Sequence, residues 1–306
     1  MVKFGIQHEN YNLGADIVNG LKEVALQADN STLDSFWVPD HLIQIPGSGA
    51  PSEPMLEGWV TISAISQITS RIKLGTLVSG NIYRNPALLA KMGATLDVLS
   101  GGRLLLGIGA GWFETEAIAY GIPFYDARTR LKRLEESVKI IRSMWDKGYS
   151  DISGEYYRTE KAFCFPMPIQ KPHPPIIIGG SGDTTLRIVA GLADGCNLFN
   201  GSPAAVRAKL DKLKGYCEAS GTKYDILIKS RLSRLVITKS PDEAKMYVKA
   251  PMDEQYNYPV YGTPEQVREK IQEYIDAGLD YLIFNFDARN EKRGLGLFIN
   301  EVLPYF

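Results

Sequence analysis

A (β/α)8 TIM barrel with an insertion between its fourth and fifth strands is the fold class that this 306-residue sequence predicts. Three observations carry the prediction. Short β-branched runs alternate with stretches of helical period nearly from end to end. Eight such runs can be read, at 3–7, 35–39, 73–79, 104–109, 176–179, 195–198, 226–237 and 281–286. No dinucleotide fingerprint follows the first of them, as it would in many open, doubly wound sheets. The whole chain, 1–306, reads as one domain.

The helices between the strands have their own signatures. Leu131, Leu134, Val138, Ile141 and Trp145 recur at steps of three and four on a segment otherwise rich in Arg, Lys and Glu, which predicts a surface helix with one apolar face. Ser240-Pro241-Asp242-Glu243 and Thr263-Pro264-Glu265-Gln266 each place a hydroxyl cap, a proline at the first helical position and an acid or amide at the third. The second of these helices buries Val267, Ile271 and Tyr274 and stops at Gly278. Residues 149–165, polar and aromatic around Ser153-Gly154, read as an inserted hairpin.

Composition narrows the function. With 34 basic and 35 acidic side chains the net charge is −1, so the field of the molecule gives no reason to expect nucleic acid as a partner. Apolar runs are a few residues long, where a bilayer span needs ~20, so no membrane segment is expected. The first residues read as a strand and not as a secretory leader, and Cys164, Cys196 and Cys217 are scattered, which fits reduced thiols in a cytoplasmic protein. HxH, HxxxH, HExxH and GxSxG spacings are missing, so neither a metal centre nor a serine hydrolase is predicted.

In such a barrel the chemistry sits where strands end. His41, after strand two, is the side chain best suited to move a proton near neutral pH, although a histidine there also serves for packing. His8, after strand one, stands at the same rim, whereas His173 precedes strand five on the opposite rim and reads as structural. Gly107-Ile108-Gly109-Ala110-Gly111 leaves room for a flat ring against the strand ends, with Trp112 and Phe113 beyond it as walls. Gly179-Gly180-Ser181-Gly182 runs from a strand into a helix, which suits either a phosphate held by backbone N–H groups or a plain tight turn. One proton-transfer group, a flat apolar wall and an anion end together point to a cofactor-dependent reaction on a small molecule.

Phe36-Trp37-Val38-Pro39-Asp40-His41, Leu74-Gly75-Thr76-Leu77-Val78-Ser79 with Tyr83-Arg84-Asn85-Pro86-Ala87, Ser100-Gly101-Gly102-Arg103 leading into GIGAGWFETE (107–116), and GGSG with Ala193-Asp194-Gly195 resemble the bacterial-luciferase-like monooxygenase superfamily over nearly the whole chain. The likeness is to the branch that uses the deazaflavin coenzyme F420. It implies a (β/α)8 barrel with an insertion between its middle strands, and a non-prolyl cis peptide at Leu77-Val78 against the central ring of the cofactor. It further implies that Asp40 holds the polar edge of the ring, that Ser79, Gly109, Ala110 and Gly111 line the ring and its side chain, and that Gly179, Gly180, Ser181 and Gly182 take the phosphate. His41 would be the proton donor or acceptor. One departure stands out. In the sugar-phosphate dehydrogenase branch a carboxylate acts from the position matched by Trp112, which argues against sugar-phosphate oxidation and leaves Glu114 as a distant substitute. An FMN-dependent monooxygenase and a non-catalytic flavin-binding barrel are the alternative expectations. Family members are usually homodimers through helices two and three, here near 57–68 and 86–99.

Overall fold

The computed structural model describes residues 2–9, 11, 16–199, 201–248, 258–288 and 290–306. Its strands are β1 (Lys3–Gln7), β2 (Ser35–Val38), β3 (Lys73–Thr76), β4 (Ser79–Gly80), β5 (Leu106–Gly109), β6 (Tyr149–Ser150), β7 (Ala162–Phe163), β8 (Ile176–Gly179), β9 (Gly195–Phe199), β10 (Ile228–Ile237), β11 (Val260–Gly262) and β12 (Tyr281–Phe286). The helices are α1 (Ile17–Asp29), α2 (Gly58–Ser66), α3 (Pro86–Leu99), α4 (Glu114–Ala119), α5 (Ala127–Lys147), α6 (Asp183–Leu192), α7 (Pro203–Ser220), α8 (Pro241–Lys245), α9 (Pro264–Asp276) and α10 (Glu291–Leu297).

Strands pair in the order β3-β2-β1-β12-β10-β9-β8-β5-β4, all in parallel. Since β3 and β4 follow each other in the chain, this order closes on itself; a parallel bridge from Leu74 to Leu104 on one side and the β4–β5 ladder on the other complete the ring. The closed sheet with its outer helices is the expected barrel. One predicted strand, 73–79, is two: the chain breaks at a cis peptide between Leu77 and Val78, where the resemblance placed one. Strand β11, which no periodicity announced, pairs with β10. Between β5 and β8, Tyr149 and Ser150 pair antiparallel with Phe163 and Ala162.

Two cores result from the period of two along each strand. Outward residues such as Phe36, Leu74, Ile108, Ile178 and Phe284 pack beneath the helices, while Trp37, Leu77, Leu105, Ile177, Leu232, Tyr281 and Ile283 fill the barrel as a plug. Each fully buried aliphatic side chain of this kind contributes roughly 1.5–3 kcal/mol. Leu134, Val138, Ile141 and Trp145 are buried on α5 as the pattern required, and the Trp145 indole N–H donates to the Ala90 carbonyl at 2.8 Å. Thr263 and Gln266 form the expected capping box. Ser240 does not cap α8, in contrast to the motif: it occupies the N-cap position without a side-chain bond, and its carbonyl accepts from the Thr238 hydroxyl instead.

Candidate active site

The loops after β2 and β5 meet at the C-terminal mouth of the barrel. Glu116, on the short helix α4, is fully buried there, and its carboxylate collects four donors. The ring Nδ1 of His41 lies 3.0 Å from Glu116 Oε2, the Leu42 and Ile43 amides donate to Oε1, and the Tyr83 hydroxyl donates to Oε2. Tyr83 reaches it because its ring lies directly on Gly80, where a Cβ would sit 2.5 Å from Cε2. Burial raises the Glu116 carboxyl, but the bonds from His41 and Tyr83 outweigh that and hold it below its ordinary value. An ionised carboxylate only accepts, so the neutral His41 ring carries its proton on Nδ1 and its lone pair on Nε2. The His41 side chain is 16 % exposed, and its ring meets the edges of Trp112 at 5.6 Å and Phe113 at 6.1 Å. Trp112 and Phe113 stack on each other at 5.1 Å and wall this side of the mouth.

Sequence reasoning passed over Glu116 although it lies in the GIGAGWFETE stretch. It singled out Glu114, whose side chain is exposed on the first turn of α4. The carboxylate that reaches the histidine is the one that points inward, two residues on.

Asp40 is brought to the same mouth, but both its oxygens are engaged by Arg84, at 2.6 and 2.9 Å, and Oδ2 also accepts from the Gly80 amide at 3.3 Å. Burial raises the Asp40 carboxyl, with Arg84 pulling it back. Arg84 also pairs with Glu57, the N-cap of α2. Of the Asp40–Arg84 pair, Arg84 is the side nearer to solvent, and it too was quoted in a motif without being given a role. Ser79 is buried; its hydroxyl bonds to Thr76 Oγ1 at 2.7 Å and accepts from the Trp59 indole at 2.9 Å.

Leu77 joins the plug, and Val78 leans across the glycines of the neighbouring strands: a Cβ on Gly109 or Gly179 would lie 2.8 or 2.9 Å from its methyl groups. Glycine at these positions lets Val78 form the inner wall, next to partly exposed Ala110 and Gly111. Gly179, Gly180 and Ser181 are likewise partly exposed, Gly182 is exposed, and α6 begins at Asp183 with no side-chain cap on its N-terminal amides. Lys212 draws the Asp183 carboxylate to itself at 2.9 Å. A small-residue wall beside an uncapped helix start fits a flat ring that bears a phosphate.

His8 is buried on the helix side of the sheet, with Nδ1 2.8 Å from Glu291 of α10 and its ring stacked on Phe36 at 6.4 Å. His173 is buried at the other rim, with Nδ1 3.0 Å from the Pro174 carbonyl. Among the described residues no group of three or more His, Cys, Asp or Glu could hold a metal ion. No helix among them is long and apolar enough to cross a membrane.

The model of the luciferase-like monooxygenase family matches residues 3–260. The chain belongs to this family. Among curated relatives, an F420-dependent glucose-6-phosphate dehydrogenase of Kineococcus radiotolerans is 30% identical, with 93% of this chain and 92% of the relative covered. One from Amycolatopsis mediterranei is 27% identical over 93% of both chains. The family barrel is also that of a coenzyme F420-dependent tetrahydromethanopterin reductase from Methanopyrus kandleri, with a TM-score of 0.83 at 20% identity over 100% of this chain and 99% of that one. An F420-dependent secondary alcohol dehydrogenase superposes with a TM-score of 0.83 at 19% identity, covering 98% of each chain.

Proposed function

We propose that this chain is a coenzyme F420-dependent oxidoreductase that moves a hydride between the deazaflavin and a small organic substrate. The observation that carries the reading is the His41–Glu116 pair, set at the mouth above a wall of glycines and Val78. The curated relatives with F420 in their names, alike over nine-tenths of the chain, support the choice of cofactor.

Leu77, Val78, Gly109, Ala110 and Gly111 would back the ring, Arg84 with Asp40 would face its polar edge, and Gly179, Gly180, Ser181 and Gly182 would hold the phosphate. Bound there, F420 supplies hydride exchange at its C5. His41 handles the matching proton: Nε2 takes it from the substrate in oxidation and returns it in reduction. Glu116 fixes the tautomer and stabilises the protonated ring by charge. Trp112 and Phe113 reduce the water around that nitrogen.

A parallel fluorescence titration of F420 and FMN tests this. Saturable binding of F420 with weaker binding of FMN is expected. Preference for FMN would replace the reading with an FMN-dependent monooxygenase, and binding of neither would leave a non-catalytic barrel.

A further inference from the structure

The mouth has a second polar pole, on β1, β10 and β12. Gly5, Ile283 and Leu232 stand in register across these strands, and Ile283 and Leu232 belong to the plug. Two residues further along, Gln7, Asn285 and Arg234 are again in register, so they face the same interior one layer higher. Gln7 is spent on the Leu77 carbonyl, to which its amide donates at 2.6 Å. Arg234, with its side chain 37% exposed, lies 3.5 Å from Glu9 and 4.0 Å from Asp287, whose side chains are 12% and 7% exposed. Asn285 donates to Glu9, and its own Oδ1 is buried with no partner among the described residues.

A guanidinium between two carboxylates is already more than neutralised. An anionic substrate group would meet both carboxylates, and a hydrocarbon would cover the guanidinium and the buried Asn285 oxygen without offering either a hydrogen bond. A hydroxyl donates to Glu9 or to the Asn285 oxygen while accepting from Arg234, and so satisfies the layer. Resting on the oxidoreductase reading, we infer that Arg234, Glu9 and Asn285 form the substrate-recognition subsite, and that the substrate carries a neutral hydroxyl beside its reacting carbon. Burial raises the Glu9 carboxyl, with Arg234 and Asn285 opposing.

The test uses F420-loaded protein and three probes that differ only in one terminal group: 2-propanol, 1,2-propanediol and lactate. Binding is followed by tryptophan fluorescence. The diol should bind at least about tenfold more tightly than the other two, as one hydrogen bond to charged partners provides. In Arg234→Leu that advantage should fall to within about twofold while the affinity for F420 stays unchanged. Should this variant fail to fold, Glu9→Gln, which keeps the shape, should cut the advantage about threefold or more. No preference for the diol in the wild-type protein, or a preference that survives in the variants, overturns the subsite. The F420 titration on the same samples separates that result from failure of the cofactor reading, which alone would abolish F420 binding.

Discussion

His41 Nδ1 lies 3.0 Å from a Glu116 oxygen in a carboxylate that solvent does not reach. This pairing gives the histidine one tautomer, and it sets the first expectation. His41→Ala should lower turnover by about 10²–10⁴ with identified substrate, the range for a lost acid–base group, with little change in F420 affinity. Steady-state kinetics beside a binding titration checks this; near-normal turnover would remove His41 from the mechanism.

Glu116→Gln keeps the volume but loses the charge that four donors face, and should destabilise the fold by about 1–3 kcal/mol at neutral pH. The Glu116 carboxyl is held below its ordinary value, with burial opposing and the His41 and Tyr83 bonds prevailing. Its contribution is therefore complete above the unfolded value of about 4.3 and fades as the pH drops through the lower folded value. Urea titrations at pH 7 and pH 3.5 should show the gap between the two proteins narrowing in acid. A gap that widened would contradict the pairing.

Gly109→Ala should push a methyl group into Val78, since the added Cβ would stand 2.8 Å from Cγ2. Overpacking of this kind costs about 1–3 kcal/mol. Adding Val78→Ala should return part of that loss, which a double-mutant cycle by thermal denaturation would read as coupling. Strict additivity would mean that the two side chains do not meet.

Thr263→Ala removes one half of the α9 capping box and should cost roughly 0.5–2 kcal/mol. Because α9 lies on the outer ring, F420 binding should be unaffected; a changed affinity would count against a purely local cap.

Helices α2 and α3 expose Val60, Leu88 and Leu99. We propose that a second copy of the chain covers them. Sedimentation should give a dimer for the wild-type protein and a shift toward monomer for Leu88→Lys; a monomeric wild type would refute the proposal.

Much of the barrel was legible because a strand buried on both faces and an amphipathic helix have different hydrophobic periods, and those periods survive in the linear chain. The break at Leu77-Val78 was not legible by period, since Leu74-Gly75-Thr76-Leu77-Val78-Ser79 reads as one continuous strand; only the resemblance placed it. Strand β11 was missed because three residues carry no period to read. At the site, His41 and the glycine loops announced themselves by position at strand ends. Glu116 and Arg84 did not, because 75 residues separate Glu116 from His41 and 44 separate Arg84 from Asp40.

The sequence by itself determined the alternation of strands and helices, the strand ends at which the mouth would form, and the glycines that leave room there. Which carboxylate meets His41, which cation claims Asp40, and that Arg234 of β10 joins Glu9 beyond β1 were decided by closure of the barrel. Side-chain chemistry along a chain is local, whereas pairing depends on which strand ends the closed sheet brings within a few ångströms of one another.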